Sequence, residues 1–229
     1  IDTTFLSYAE KAADSISSYS DKAFILKLIA VEYAKAGQFD KAVNVAGSIS
    51  DDSKKAWALI DIVVELAKAG QTQKALLIFD KAVSVAGSIS FDSKKAKALR
   101  DIVVELAKAG QTQQALQIFD KALTVAGSIS GDHYKAFALS DIASELAKAG
   151  QFDDALNAAG SISNDSSKAW ALKDIAVELA KAGQFDKALN VAGSISDDHY
   201  KAWALKDIAV ELAKAGQTQK ALLIFDKAV

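Results

Sequence analysis

The sequence predicts an all-α protein in which about 13 helices stack as antiparallel pairs into a right-handed α-solenoid. The first observation is a repeat, because Lys-Ala-Gly-Gln recurs with its glycine at Gly37, Gly70, Gly110, Gly150, Gly183 and Gly216. The intervals are 33, 40, 40, 33 and 33 residues, and periods of this length are typical of stacked arrays. The second observation is that the 229 residues include no proline, the residue that breaks helices. The third is helical spacing of apolar residues between the glycines.

The first helix of each repeat, helix A, is predicted at residues 55–69 in the second repeat. Apolar residues at 59, 62, 63 and 66 share one helix face. Gly70 follows, and a glycine there can adopt the left-handed conformation that ends a helix. An aspartate just before each helix A is expected to accept hydrogen bonds from the free N–H groups of the first turn. These aspartates are Asp52, Asp92, Asp132, Asp165 and Asp198.

The second helix, helix B, is predicted from Phe39 to Val45 or beyond, and it is open whether Gly47 ends it or lies in its last turn. The 40-residue repeats carry seven extra residues, 72–78 in the first of them, at the start of helix B. Seven residues make nearly two turns, about 10.5 Å, so the insertion should lengthen the helix without redirecting its apolar face. The first B helix, about Thr3 to Ile16, matches the long form.

The predicted organisation is one repeat domain over residues 1–229. It consists of a half repeat at 1–20, repeats at 21–53, 54–93, 94–133, 134–166 and 167–199, and a truncated repeat at 200–229. Because the chain begins at Ile1 and stops within a helix B, we expect it to be a fragment of a longer array.

The repeats carry Gly70-x4-Ala75-x3-Phe79-x2-Ala82 in the long form and Gly37-Gln-Phe-Asp-Lys-Ala42 in the short form. This pattern resembles the turn and second helix of the tetratricopeptide repeat. The periods differ from that family's usual period of about 34 residues, the closing proline is missing, and Trp57 lies two residues earlier than the family's tryptophan. The resemblance implies a superhelix whose concave surface, lined by the A helices, binds peptides or proteins. Pentatricopeptide repeats, which are similar pairs that read single-stranded RNA, are a neighbouring possibility.

The sequence offers little for catalysis. It has no cysteine and two histidines, His133 and His199, which we interpret as exposed residues at the start of helix A. Two repeats separate them by about 20 Å if helices pack at a spacing of about 10 Å, so a shared metal site is not expected. There is also no phosphate-binding loop. We therefore predict no catalytic residue, no metal site, no cofactor and no enzymatic activity.

Nucleic acid and membranes are not expected as partners. Arg100 is the only arginine among 27 basic residues, and the net charge is -2, so a surface that neutralises phosphates is not evident. The longest apolar runs are a few residues, short of the roughly 20 that span a bilayer. No targeting leader is seen, which slightly favours a cytoplasmic location and otherwise leaves the compartment open.

One position on helix A varies in an otherwise uniform repeat. This variable position, between the two alanines of Ala-x-Ala-Leu, is occupied by Phe24, Trp57, Lys97, Phe137, Trp170 and Trp203. Basic residues follow three positions on in four repeats (Lys27, Arg100, Lys173, Lys206), and an aspartate follows four positions on in most (Asp61, Asp101, Asp141, Asp174, Asp207). All of these lie on one helix face.

Two interpretations of the variable position stay open. The aromatic rings could pack between repeats, or they could line a ligand groove. Lys97 argues against full burial, because burying an ammonium group is costly. A groove wall accommodates both tryptophan and lysine, and it predicts that Trp57, Trp170 and Trp203 are partly exposed.

We expect a non-enzymatic scaffold that binds a protein, or an extended peptide with apolar and basic side chains, along the A-helix face. One alternative is a structural element that stacks end to end with further copies of itself. Another is an engineered or recently duplicated array without a dedicated ligand, since residues 67–83 and 213–229 are identical.

Overall fold

The computed structural model describes residues 4–108 and 113–228, and these contain thirteen α-helices and no strand. The all-α class predicted from the sequence is therefore confirmed. The helices are α1 (Thr4–Asp14), α2 (Tyr19–Lys35), α3 (Phe39–Gly47), α4 (Asp52–Lys68), α5 (Thr72–Ser88), α6 (Asp92–Lys108), α7 (Gln113–Gly127), α8 (Asp132–Lys148), α9 (Phe152–Gly160), α10 (Asp165–Lys181), α11 (Phe185–Gly193), α12 (Asp198–Lys214) and α13 (Thr218–Ala228).

Even-numbered helices from α2 to α12 are the A helices, and the odd-numbered ones are the B helices. An A helix packs on the B helix that follows it, as in α4 with α5 and α10 with α11. Consecutive A helices also pack directly on each other, as α2, α4 and α6 do, and likewise α8, α10 and α12. Because short loops join consecutive packed helices, the pairs are antiparallel hairpins. The helix-pair repeat is confirmed.

The chain divides into two compact units, Ile1–Val125 and Ala126–Val229. In the first unit the fully buried side chains include Leu59, Ile62 and Phe79, and in the second they include Ile142 and Ile175. These side chains come from the apolar faces that the helical spacing identified. A single repeat domain over residues 1–229 stays a prediction.

The helix A starts differ from the prediction by one residue. Asp52 and its equivalents are the first residues of their helices, so the expectation that they are the capping residues is wrong. In α4, α10 and α12 the cap is the preceding residue, whose extended backbone directs its side chain back to the first turn, whereas the cap position of α8 is Gly131, which makes no side-chain cap bond. Asp51 accepts from the Lys54 N–H at 2.8 Å, Asn164 from Ser167 at 2.9 Å and Asp197 from Tyr200 at 3.1 Å. Asp52 and its equivalents instead place negative charge in the first turn, where the helix dipole favours it.

The helix A ends follow the prediction. Gly37, Gly70, Gly150, Gly183 and Gly216 have φ between 71° and 77°. Gln71 N–H then donates to the Leu66 carbonyl at 2.9 Å, which satisfies one of the last free carbonyls of α4. Gly110 lies outside the described residues.

The B helices also follow the prediction in outline. Gly47 is the last residue of α3, which answers whether it belongs to the helix. The helix α5 begins at Thr72, so the seven-residue insertion is helical. In α13 the insertion at 218–224 is helical too, whereas residue 112 of the remaining copy is not described. The first B helix is shorter than predicted and ends at Asp14.

The Gly-Ser-Ile-Ser segment at the end of the B helices α3, α5, α7, α9 and α11 is held by its isoleucine. The residues at this place are at most 3% exposed although they lie at or beyond the helix end: Ile49, Ile89, Ile129, Ile162 and Ile195. Burying such a side chain contributes about 1.5–3 kcal/mol relative to leaving it exposed. These isoleucines therefore fix the loop that leads into the next helix A.

Candidate functional site

The variable position lies at the surface of the A helices. The neighbouring Ala56, Ala58 and Leu59 are fully buried, so they fix the helix against the core. The side chains at the position itself are exposed by 52% at Phe24, 42% at Phe137, 49% at Trp170 and 44% at Trp203. Lys97 is exposed and Trp57 is half-buried. These exposures are the ones that the groove interpretation requires, and a binding role for the residues stays a prediction.

In the first unit, side chains of α2, α4 and α6 line a cleft of about 560 Å³ around Trp57. The Lys97 ammonium lies 5.0 Å from the centre of the Trp57 ring, and that of Lys27 lies 6.0 Å from it. Lys27 also pairs with Asp61 at 3.1 Å. The indole ring is thus contacted by two cations of its own chain.

Acidic and basic groups alternate along the wall of the same cleft. The Arg100 guanidinium donates from Nε at 3.1 Å and from Nη2 at 2.9 Å to one carboxylate oxygen of Asp101. The half-exposed side chains of this pair keep its contribution to stability small. Three basic residues (Lys27, Lys97, Arg100) and three acidic ones (Asp61, Asp101, Glu105) line the cleft, so its charges balance.

The second unit has a smaller pocket of about 230 Å³ between α8, α10 and α12. Its seven lining residues are Phe137, Ser140, Asp141, Ser166, Ser167, Trp170 and Tyr200. The lining thus has three aromatic rings, one carboxylate and four hydroxyl groups, counting that of Tyr200, and no basic side chain is among them. We call this space the α10 pocket.

Trp170 is held in place by Asp174, one turn along α10. The indole N–H of Trp170 donates to Asp174 Oδ2 at 3.0 Å, and the hydroxyl of buried Ser144 donates to the same oxygen at 2.7 Å. Lys173 pairs with the other oxygen of Asp174 at 2.7 Å and lies 5.1 Å from the Trp170 ring centre. In contrast, the indole N–H of Trp57 is buried and has no hydrogen-bond partner.

Aromatic side chains continue from the α10 pocket along α12. The ring centroids of Trp170 and Tyr200 are 6.3 Å apart, and those of Tyr200 and Trp203 are 6.0 Å apart in a T-shaped arrangement. His199 lies 4.3 Å from Trp203, ring centre to ring centre. His133 and His199 are exposed at the start of α8 and α12, as predicted.

The structure brings together only part of the predicted site. Trp57, Asp61, Lys97, Arg100 and Asp101 line the cleft of the first unit, and Phe137, Asp141 and Trp170 line the α10 pocket. Lys173 and Asp174 lie beside that pocket without lining it. Neither cavity includes Phe24, Trp203, Lys206 or Asp207, and the last two pair with each other at 3.6 Å.

The predicted site residues did not include Tyr200 or Ser144. Tyr200 lies one turn before Trp203, and that spacing puts both rings on one face of α12. Ser144 occupies a place where other repeats have Val64, Val104, Val177 and Val210. A polar residue replacing valine in a repeat was the signal that could have identified the bond to Asp174.

The described groups with clearly perturbed pKa values are not among the predicted site residues. Burial, followed by a hydrogen bond to Glu10, raises the pKa of Tyr33 to about 12. Hydrogen bonds to Glu32 and Glu145 raise the pKa values of Lys35 and Lys148. Among the described side chains, no three metal-ligating groups lie close enough together to hold a metal ion. No helix in the described ranges combines the length and the apolar character needed to cross a bilayer.

No family model matches the sequence, and no curated protein is similar to it. The solved structures similar to it include Ton1535 from Thermococcus onnurineus NA1, at 19% identity and a TM-score of 0.36, covering 98% of this chain and 83% of that one. A Podosopora anserina protein with nearly identical TPR-like repeats is 12% identical, with a TM-score of 0.39, covering 93% of this chain and 95% of that one. A Rap protein complexed with competence and sporulation factor is 16% identical, with a TM-score of 0.42, covering 97% of this chain and 67% of that one. The helix-pair repeat of this chain is established by its own helices and their packing.

Proposed function

We propose that this protein is a non-enzymatic scaffold that binds an extended segment of another protein along the A-helix face. The observation that carries the proposal is the exposure of Phe137, Trp170 and Trp203 at one register of three adjacent A helices. Aromatic residues dominate the binding energy of many protein interfaces. Exposed at regular steps, they suit a ligand that crosses several repeats.

The helices present these rings at a low entropic cost. The alanines beside each ring, such as Ala169 and Ala171, are buried against neighbouring helices and hold the backbone in place. A bond to Asp174 also fixes the Trp170 ring. Binding therefore orders few additional groups on the protein, and a preorganised surface retains more of its contact energy as affinity.

The experiment is selection from a displayed library of random peptides, followed by measurement of binding to the full chain. Trp170→Ala and Trp203→Ala should each weaken the selected peptides about tenfold or more, as expected of interface hot spots. Phe5→Ala is the matched control, because Phe5 is 74% exposed on the B helix α1. The proposal fails if both tryptophan variants bind the selected peptides as the parent chain does.

A second candidate function is self-assembly through the last helix. Leu222 and Phe225 of α13 are 57% and 44% exposed, whereas the identical residues Leu76 and Phe79 of α5 are buried. An apolar helix face of this kind could pack on another copy of the chain. Light scattering should then show mass growing with concentration, and Phe225→Glu should abolish the growth while Leu77→Glu, at a 70% exposed position on α5, should not.

A monomer at every concentration would contradict self-assembly. If the peptide selection also fails, the remaining alternative is a duplicated or engineered array without a dedicated ligand.

A further inference from the structure

We infer that the α10 pocket binds the cationic side chain of a lysine or arginine in a partner peptide. This inference rests on the proposed peptide-binding function and specifies its ligand at one place. Trp170 lines the pocket from α10, and Phe137 and Tyr200 line it from the A helices before and after, α8 and α12.

The size of the pocket fits one side chain. Pockets for drug-sized molecules usually have about 300–1,000 Å³, and the α10 pocket has about 230 Å³. It is also open enough to leave Phe137 and Trp170 nearly half exposed. A long side chain can thus enter while the rest of the peptide stays along the helix surface.

The lining chemistry favours a positive charge. Aromatic faces attract ammonium and guanidinium groups, and Phe137, Trp170 and Tyr200 supply three of them. Asp141 adds the only charged group among the lining residues. The hydroxyl groups of Ser140, Ser166 and Ser167 can accept hydrogen bonds from an N–H donor.

The first unit contains an internal example of the same contact. There Lys97, from the next A helix, lies 5.0 Å from the Trp57 ring centre, and Asp61 and Asp101 line the same cleft. In the next repeat after Trp170, the residue that corresponds to Lys97 is Trp203. Trp57 therefore receives a cation, Lys97, from the next A helix, whereas the next A helix after Trp170 has the aromatic Trp203 at that position.

Lys173 does not take the place of the ligand. Its ammonium pairs with Asp174 at 2.7 Å, and Lys173 is not among the residues that line the α10 pocket. Its distance of 5.1 Å from the Trp170 ring centre shows that this ring tolerates a cation close to it. The bond from Trp170 to Asp174 keeps the ring oriented while the pocket is occupied.

The test uses the full chain and three short probes: acetyl-Gly-Arg-Gly-amide, acetyl-Gly-Lys-Gly-amide and a neutral analogue with citrulline in place of arginine. The indole N–H signals in nitrogen-15 correlation spectra report on each tryptophan, after assignment with Trp57→Phe, Trp170→Phe and Trp203→Phe. We expect a saturable shift of the Trp170 signal with at least one cationic probe, little shift with citrulline and no shift of Trp57.

Asp141→Asn should weaken the cationic probes about three- to tenfold, in keeping with the loss of one partly exposed charge partner. Asp101→Asn is the matched control, since Asp101 holds the same register in the first unit, and it should leave the Trp170 titration unchanged. Circular dichroism establishes that both variants are folded. Phe137→Leu, which keeps an apolar side chain but removes a ring, should weaken the same probes.

The inference is overturned if the Trp170 signal does not saturate with either cationic probe, if citrulline shifts it equally, or if Asp141→Asn and Phe137→Leu are both without effect. Failure of the inference is separable from failure of the proposed function. If the selected peptides need Trp170 and Trp203 but contain no basic residue, the scaffold function is supported and the cation-binding inference is contradicted. If the cationic probes saturate while no library peptide binds, the inference is supported and the scaffold function is contradicted.

Discussion

The indole N–H of Trp170 donates to the carboxylate of Asp174 at 3.0 Å, while Trp57, at the same register three repeats earlier in the chain, has a buried indole N–H without a partner. Trp203 is the matched control for this bond, because it is 44% exposed where Trp170 is 49% exposed, so phenylalanine at either place removes a similar contact area. We expect Trp170→Phe to lose about 1 kcal/mol more of the free energy of unfolding than Trp203→Phe. Urea denaturation of both variants measures the difference. Equal losses would show that the bond to Asp174 contributes nothing.

The cap of α4 is tested by a pair of neighbouring aspartates. Asp51 accepts a hydrogen bond from the Lys54 N–H, whereas Asp52 is the first residue of the helix. Asp51→Ala should cost about 1 kcal/mol, and Asp52→Ala should cost less, about 0.3–0.5 kcal/mol, because it loses only its interaction with the helix dipole. Thermal and urea denaturation give both values. The reverse order would restore Asp52 as the cap.

Replacing the two glycines of a repeat with alanine should change the stability of the fold in opposite directions. Gly183 has φ +76°, and a Cβ there is strained although space is open around it. Gly183→Ala should therefore destabilise the fold by about 1–2 kcal/mol. Gly193 is helical, ends α11 and also has open space at its Cβ, so Gly193→Ala should stabilise by up to about 1 kcal/mol. A similar effect at both sites in denaturation experiments would contradict this assignment.

Tyr33 should make stability fall at high pH. Its pKa is raised from 10.0 to about 12, mainly by burial and then by its hydrogen bond to Glu10, so the fold favours the neutral phenol. Lys41, whose ammonium lies 5.5 Å from the ring centre, does not reverse this direction. The stabilising contribution is complete below pH 10 and is lost as the pH rises toward 12. Urea midpoints measured across this range should fall more steeply for the parent chain than for Tyr33→Phe, and parallel curves would exclude the effect.

Two phenylalanines in identical sequence should differ in importance. Phe79 is fully buried in α5, and Phe225 is 44% exposed in α13. Phe79→Ala should cost about 3–5 kcal/mol, whereas Phe225→Ala should change stability by about 0.5 kcal/mol. The free energy of unfolding from urea titrations distinguishes them. A large loss at Phe225 would mean that another molecule covers α13 in solution.

Much of the fold was predictable because most repeats begin and end their helices with the same residue types. Gly70 has no Cβ and closes α4 with a left-handed backbone, and the heptad-like insertion at Thr72 adds helix without changing its face. The predicted cap of α4, Asp52, lies one residue after the observed cap, Asp51, because both aspartates suit the start of a helix. Only the backbone conformation decides which of them points back to the first turn.

The candidate site was less predictable, because its chemistry depends on neighbours in other repeats. Trp57 and Trp170 share a register, yet one ring meets Lys97 from the next helix A and the other meets Tyr200. Likewise Phe79 and Phe225 lie in identical stretches of sequence and differ in burial because of what packs against them. Patterns within one repeat predict which face a residue occupies, and packing between repeats decides its partners.

The closure of an A helix by residues at its own two ends has a consequence for how such a chain changes in length. In α10, for example, Asn164 supplies the cap, Gly183 ends the helix, and Lys181 pairs with Glu178 in the last turn. Excising residues 167–199 would leave Asn164, which lies in the repeat 134–166, to cap the helix that continues at Tyr200 and ends at Gly216, so the joined segments keep complete helix ends. An array of this kind can gain or lose whole repeats by recombination, and each event shifts the spacing of its exposed aromatic rings by one step without requiring new end chemistry.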